Sequence, residues 1–131
     1  MKKAVFIFFI LSFMTLGLFA QKNKNIVNDS IFFVNVTHDY GTIPQGSDGN
    51  SEFKFTNKKN IPLILSNVKA SCGCTVAEWP KAPIMPGKTG AIKVKYNTNL
   101  VGTFMKSITV NSNAKNSTVM LTIKGTITAK Q

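Results

Sequence analysis

The sequence predicts an all-β fold, an antiparallel immunoglobulin-like sandwich of about seven short strands. Apolar side chains recur at every second position over most of residues 31–131, and glycine, proline and asparagine interrupt this alternation at short intervals. Beyond residue 20, no segment has the 3.6-residue apolar period of a helix. About 100 residues are enough for one domain with a single core. An α/β enzyme fold does not fit this pattern.

Residues 1–20 are predicted to be a cleavable secretory signal peptide. A lysine pair precedes an almost wholly apolar run from Ala4 to Leu18, and the sequence becomes polar after Ala20. An uncleaved anchor is the alternative, because the run is close to the shortest that spans a bilayer. Residues 21–30 are polar and are predicted to be a flexible leader. Residues 31–131 are then the domain, periplasmic or secreted and without a stable membrane span after cleavage.

The predicted mature chain is strongly basic. It contains fourteen lysines, five acidic residues and no arginine, which gives a net charge of +9. Arginine is the side chain that reads phosphate and guanine through paired hydrogen bonds, so its absence argues against nucleic-acid recognition. The plainer interpretation is a soluble, lysine-covered surface that attracts anionic envelope polymers.

The strands are placed by the alternation itself. The first strand is expected to begin near Ile31 and to carry Phe32, Val34 and Val36 on one face. Residues 61–68 are apolar on both faces and predict a central strand. The core-facing residues of the other strands are predicted to be Phe53, Phe55, Ile92, Val94, Tyr96, Ile108, Val110, Val119, Leu121, Ile123 and Ile127.

Turn residues separate these strands. Gln45-Gly46 and Asp48-Gly49 lie between the first two long strands, and Pro86-Gly87 suits the central positions of a type II turn. Asn111-Ser112-Asn113 is predicted to separate the last two strands. Loops at the ends of a sandwich are where function is expected.

Cys72 and Cys74, the only cysteines, are the sharpest chemical feature of the chain. In an extended strand their α-carbons would be about 6.5 to 7 Å apart, at or beyond the upper limit for a disulfide. Gly73 is expected to supply the bend that would bring them together. A bond across one residue closes a very short loop, so it would stabilise the fold far less than a long-range disulfide.

Three interpretations of the pair stay open. The cysteines are packed as small apolar side chains or joined in a local disulfide that shapes the loop. Alternatively, a reducible bond exchanges with other thiols. In the third, two thiolates bind copper(I) with the help of Met85, Met105 or Met120. A closed zinc site needs four ligands, and the only histidine, His38, is distant in sequence.

The segment from Ala70 to Gly90 is the candidate site, because prolines should hold it in one shape. Its singled-out residues are Cys72, Gly73, Cys74, Trp79, Pro86 and Gly87. Hydrolytic chemistry has little support, since His38 is the only possible histidine base. The predicted function is a non-enzymatic binding or structural module without a cofactor, which presents loops or a sheet edge to an unknown protein or envelope component. A copper-binding or thiol-redox protein is the alternative.

Several short blocks resemble an exported bacterial family, the domain of unknown function 1573, which is grouped with hydin-like immunoglobulin domains. They are His38 to Gly46, Phe53 to Asn57, Ser71 to Thr75, Pro86 to Gly90 and Ile108 to Asn113. The paired-cysteine segment that leads to Trp79-Pro80 is the most specific of them. The resemblance covers nearly all of residues 31–128. It implies an immunoglobulin-like sandwich outside the cytoplasm and brings no activity with it.

Overall fold

The computed structural model describes residues 30–131, and the predicted signal peptide and all of the predicted leader except Ser30 lie outside that range. Among the described residues, no helix has the length and apolar character needed to cross a membrane. The strands are β1 (Ile31–Phe33), β2 (Thr37–Pro44), β3 (Asn50–Asn57), β4 (Leu65–Ala70), β5 (Thr75–Glu78), β6 (Thr89–Tyr96), β7 (Gly102–Ser112) and β8 (Thr118–Thr128).

These strands form a sandwich of two four-stranded sheets, in the orders β1-β3-β6-β5 and β2-β8-β7-β4. The predicted fold class is confirmed. All pairings are antiparallel except that of β2 with β8, which is parallel. The four edge strands are therefore β1 and β5 in the first sheet and β2 and β4 in the second.

The core follows the predicted alternation in four of the strands, β3, β6, β7 and β8. The buried side chains that the sequence predicted are Phe53, Phe55, Ile92, Val94, Tyr96, Ile108, Val110, Leu121, Ile123 and Ile127. Val119 is only half-buried and packs against this cluster. Across the two sheets, the rings of Tyr96 and Phe104 stack with their centroids 3.8 Å apart.

The phase of the first strand was predicted wrongly. Ile31 and Phe33 are the buried residues, whereas Phe32, Val34 and Val36 are 53%, 61% and 47% exposed. The chain forms only a three-residue strand in the first sheet and then crosses to the second sheet as β2. The pairing of this short strand decides which residues face the core. The predicted phase was off by one residue, and such a shift exchanges the inward and outward side chains.

The prediction of a central strand over residues 61–68 is also wrong. β4 begins at Leu65 and is an edge strand, and Ile61 and Ile64 are exposed. The residues before β4 are held by a side chain instead of a strand: the Asn113 amide accepts a hydrogen bond from Ile64 N (2.9 Å) and donates one to Pro62 O (3.1 Å). An apolar stretch held this way resembles a buried strand in sequence.

Two of the predicted turns are confirmed and one is displaced. Around Pro86-Gly87, Lys88 N donates to Met85 O at 3.0 Å, and the φ of Gly87 is 74°, as a type II turn requires. Gly46 has a φ of 82° in the turn after β2. Asn111 and Ser112 still belong to β7, so the final reversal begins at Asn113, two residues later than predicted.

Candidate functional site

The predicted site residues lie along one side of the sandwich, formed by residues 61–88 and called here the β4–β5 side. β4 and β5 follow each other in sequence but are edge strands of different sheets. The chain must therefore cross from one sheet to the other between them, and residues 71–74 make this crossing. The β4–β5 side is where both sheets end.

The crossing contains a disulfide between Cys72 and Cys74, whose α-carbons are 5.3 Å apart, within the usual disulfide range. Both residues are half-buried, and Cys74 packs against the core. The hydroxyl oxygen of Thr75 lies 3.8 Å from each sulfur. Of the interpretations that the sequence leaves open, a local disulfide that shapes the loop matches this geometry.

The bend does not require the conformational freedom of glycine. Positive φ angles occur at four glycines among the described residues, and Gly73 is not one of them. A Cβ built on Gly73 would meet no atom within 4 Å. Gly73 lies in the turn that brings the cysteines together, but its backbone does not use the positive φ that favours glycine.

The crossing is tied to both sheets by backbone hydrogen bonds. Asn97 N donates to Cys74 O at 2.9 Å, which joins the turn to the end of β6. Ser71 N donates to Ser107 O at 2.8 Å, which continues the pairing of β4 with β7. These contacts fix the turn largely without the disulfide.

Replacing both cysteines, as Cys72→Ser together with Cys74→Ser, should lower the free energy of unfolding by about 1.5 kcal/mol, because a ring of this size removes little entropy from the unfolded chain. Urea denaturation of the variant and of the wild type, each with and without dithiothreitol, measures this. Reduction should shift only the wild type, toward the variant. A decrease of more than about 3 kcal/mol in the free energy of unfolding would contradict this and show that the disulfide is a main contributor to stability.

At the opposite end of the β4–β5 side, a single bridge joins the residues before β4 to the loop between β5 and β6. Leu63 and Ile84 exchange two backbone hydrogen bonds of 2.8 Å. Leu63 is fully buried. The two edges are thus connected at both ends, by the disulfide turn at one and by this bridge at the other.

The fully buried side chain of Asn57 organises the bridge. Its amide nitrogen donates to Ile61 O (3.0 Å) and Ile84 O (2.8 Å), and its amide oxygen accepts from Lys59 N (2.7 Å). Its backbone carbonyl accepts from Gly87 N at 2.9 Å. Sequence reasoning missed this role; the available signal was a polar residue in phase with Phe53 and Phe55 at the end of an alternating strand.

Trp79 follows β5 and packs half-buried against the core, with the ammonium group of Lys81 over its ring. Pro86 is exposed in its turn, next to Gly87. The predicted site residues therefore do not form one pocket. The cysteines and Gly73 lie at the disulfide turn, and Gly87 is tied to Asn57 near the Leu63–Ile84 bridge.

Between these two ends, the free edge of β4 exposes unpaired backbone groups. Because Ser71 bonds Ser107, alternation along an antiparallel ladder makes Lys69 a bonded partner of β7 as well. The N–H and C=O groups of Val68 and Ala70 then point away from β7. Among residues 30–131, no strand pairs with that side of β4.

Two of the other edges are obstructed by side chains or by the backbone itself. At β1, the Asn116 amide donates to Ile31 O and accepts from Ile31 N, both at 2.9 Å. At β2, the register shifts after Asp39, whose carboxylate accepts from Gly41 N at 2.8 Å, and Pro44 has no N–H to donate. Such features prevent pairing with another chain.

The remaining edge, β5, is only four residues long and is followed by Pro80. Asn97 N bonds Cys74 O, so alternation directs the backbone of Ala77 away from β6. β4 has six residues and no proline. It is therefore the longer of the two edges that are not obstructed.

The residues considered for metal or acid–base chemistry are dispersed. His38 packs edge-on against Tyr40, with ring centroids 4.5 Å apart. Met105 and Met120 are exposed on β7 and β8, and Met85 lies in the loop before β6. Within residues 30–131, no group of three or more His, Cys, Asp or Glu side chains is arranged to hold a metal ion. A copper(I) site at the cysteines would first require their reduction to thiolates.

The two sheets form an immunoglobulin-like β-sandwich. The chain belongs to the family described as "Protein of unknown function (DUF1573)", which matches residues 31–127. This confirms the resemblance seen in the sequence. No curated protein matches the sequence.

Solved structures share the fold at low sequence identity. A protein of unknown function from Porphyromonas gingivalis W83 is similar with a TM-score of 0.66 and 15% identity, over 73% of this chain and 46% of that one. The PapD-like domain 7 of human CEP192 has a TM-score of 0.66 at 7% identity, over 79% and 89%. The secreted serine protease VesC from Vibrio cholerae has a TM-score of 0.57 at 15% identity, over 75% and 23%. This chain thus spans less than half of the Porphyromonas protein and less than a quarter of VesC.

Proposed function

We propose that this protein is an exported, non-enzymatic binding module that takes up an extended segment of another protein as an additional strand along β4. The observation that carries the proposal is the pair of unpaired backbone positions, Val68 and Ala70, on an edge that has no proline. In strand addition, main-chain hydrogen bonds give affinity and pockets for alternate side chains give specificity.

Exposed apolar side chains occur near the Leu63–Ile84 bridge, before the start of β4. Three apolar side chains within two residues of Leu63 or Ile84 in sequence are about half exposed: Ile61 (55%), Ile64 (45%) and Met85 (54%). Trp79 is half-buried on the same side. Apolar surface beside unpaired backbone suits a partner that alternates apolar and polar residues.

Export rests on the N-terminal sequence and on the disulfide. A positive start, an apolar run and a small residue at position 20 are typical of a signal peptide. Disulfides persist in oxidising compartments such as the periplasm and the extracellular space, and the pair at Cys72 and Cys74 fits such a place.

The absence of enzymatic activity is proposed from the chemistry of the described residues. The likeness to VesC covers less than a quarter of that protease and extends to the fold alone. His38, the only histidine, packs on Tyr40 and has no serine or cysteine hydroxyl or thiol among its described hydrogen-bond partners. A base without a nucleophile gives no triad.

The substitution Ala70→Pro tests strand addition. The substitution removes an N–H that points away from β7. It should therefore lower the free energy of unfolding by less than about 1 kcal/mol, because proline is tolerated at edge positions whose N–H faces solvent. Peptides selected from a random ten-residue display library on the wild-type protein should lose binding to the variant.

Ala77→Pro is the matched control, because it removes the outward N–H of the neighbouring edge, β5. Peptides selected on the wild type should bind this variant normally. Selected peptides that ignore Ala70→Pro, or that depend on Ala77 instead, would place binding elsewhere and contradict the proposal. Circular dichroism of both variants establishes that each is folded.

Thiol or copper chemistry at Cys72 and Cys74 is the second candidate. It is favoured by one observation: the bond closes so small a ring that stability does not account for it. Replacing both cysteines by serine separates the candidates, because strand addition should survive and redox or metal function should be lost. Titration with dithiothreitol measures the reduction potential of the disulfide. If the bond resists reduction as strongly as ordinary secreted disulfides do, the redox candidate is excluded.

A further inference from the structure

We propose that the segment bound along β4 is acidic, with aspartate or glutamate alternating with apolar residues. This inference rests on the proposed strand addition and specifies the chemistry of the partner. It follows from the distribution of charge between the two sheets and from the register of β4 with β7.

No acidic residue of the described chain lies in β4 or in a strand paired with it. Asp39 lies in β2, Asp48 follows it, Glu52 lies in β3 and Glu78 in β5. β4, β7 and β8 contain no acidic residue. These three adjacent strands carry Lys69, Lys106 and Lys124 as their only charged side chains.

Lys69 is the charged residue that an added strand would meet first. It is exposed and pairs with Thr109 of β7, which in turn pairs with Met120 of β8. A segment alongside β4 would place one of its residues next to Lys69 on the side away from Thr109. In neighbouring strands, opposite charges at such positions attract and like charges repel.

Glu78, the acidic residue nearest in sequence, does not compete for Lys69 through the sheet. It lies in β5 and pairs with Lys93 of β6, so it belongs to the other sheet. Lys69 has no acidic cross-strand neighbour on β7. Its charge is therefore available to a partner on the free side of β4.

The alternate positions of the partner should be apolar. The side chain of Val68 is buried, and that of Ala70 is half-buried and packs against the core. Residues of an added strand that lie beside Val68 and Ala70 would face the same way, toward the interior between the sheets. With a side-chain period of two, the acidic positions and the apolar positions must then alternate.

Two ten-residue peptides test the inference, one alternating valine with glutamate and one alternating valine with lysine, each with a fluorescent label and blocked ends. Fluorescence anisotropy at low salt should show that the glutamate peptide binds the wild type more tightly, by about fivefold or more. Lys69→Glu should remove or reverse this preference. Lys54→Glu makes an equal change of charge on the exposed face of the other sheet, opposite Ala91 of β6, and should leave the preference nearly intact.

The outcomes separate this inference from the proposed function. Equal binding of both peptides, abolished by Ala70→Pro, would overturn the acidic partner and retain strand addition. A preference for glutamate that Lys69→Glu leaves unchanged would also overturn the acidic partner. The same holds if neither peptide binds while library peptides bind and lose binding in Ala70→Pro. Binding that ignores Ala70→Pro would overturn strand addition itself, and this inference with it.

Discussion

Replacing Asn57 with aspartate should destabilise the fold by about 4 kcal/mol at neutral pH, because a carboxylate is costly to bury and cannot donate. Ile61 O would lose its hydrogen-bond donor, and Ile84 O would keep only the bond from Leu63 N. The wild-type amide donates to Ile61 O and Ile84 O and accepts from Lys59 N. The substitution keeps the size of the side chain, so lost packing contributes little. Urea denaturation followed by tryptophan fluorescence of Trp79 measures the change.

The control for this substitution is Asn67→Asp. Asn67 is exposed on β4, and its change should stay within about 0.5 kcal/mol. If Asn57→Asp were as mild as Asn67→Asp, the Asn57 network would not hold the Leu63–Ile84 bridge. The description of the β4–β5 side as tied at both ends would then be wrong.

Replacing Gly49 with alanine is expected to destabilise by about 3 kcal/mol, at the upper end of overpacking costs. A Cβ built on Gly49 would overlap the backbone oxygen of Tyr96 and lie 3.1 Å from Thr98 Cγ2. A backbone atom cannot rotate away as a side chain can. The carbonyl of Gly49 also accepts hydrogen bonds from Tyr96 N (2.9 Å) and the Tyr40 hydroxyl (2.6 Å), so a shift would disturb both.

The Tyr40 hydroxyl donates its proton in this contact, and burial raises the pKa of this hydroxyl above its ordinary value. Gly73→Ala is the matched control for Gly49→Ala. It adds the same methyl group where nothing lies within 4 Å and should change stability by less than about 0.5 kcal/mol. Thermal unfolding of both variants gives the comparison. Equal losses of stability in the two variants would show that the close approach of the Tyr96 backbone to Gly49 does not destabilise Gly49→Ala.

The sequence was sufficient to predict the sandwich where alternation was long. In β3 and β6 the apolar residues are in one phase over several positions, and they are buried as expected. It was insufficient where elements are short or held by side chains. β1 has three residues, too few to fix a phase. Residues 61–64 are apolar without being in a named strand, because Asn57 and Asn113 hold their backbone.

For the candidate site, local chemistry was predictable and spatial relations were not. Cys72 and Cys74 were recognisable as a pair, and Pro86-Gly87 as a turn. That β4 has an open edge depends on sheet order, which alternation does not determine. The obstruction of β1 by Asn116 depends on a contact between residues 85 apart in sequence.

Amide hydrogen exchange at β4 tests the central claim most directly. In the free protein, the amides of Val68 and Ala70 should exchange rapidly although their side chains face the core, whereas that of Lys69, bonded to β7, should be protected. Addition of a selected peptide should slow exchange at Val68 and Ala70 selectively. Protection of both amides in the free protein, or unchanged rapid exchange at saturating peptide, would contradict binding by strand addition along β4.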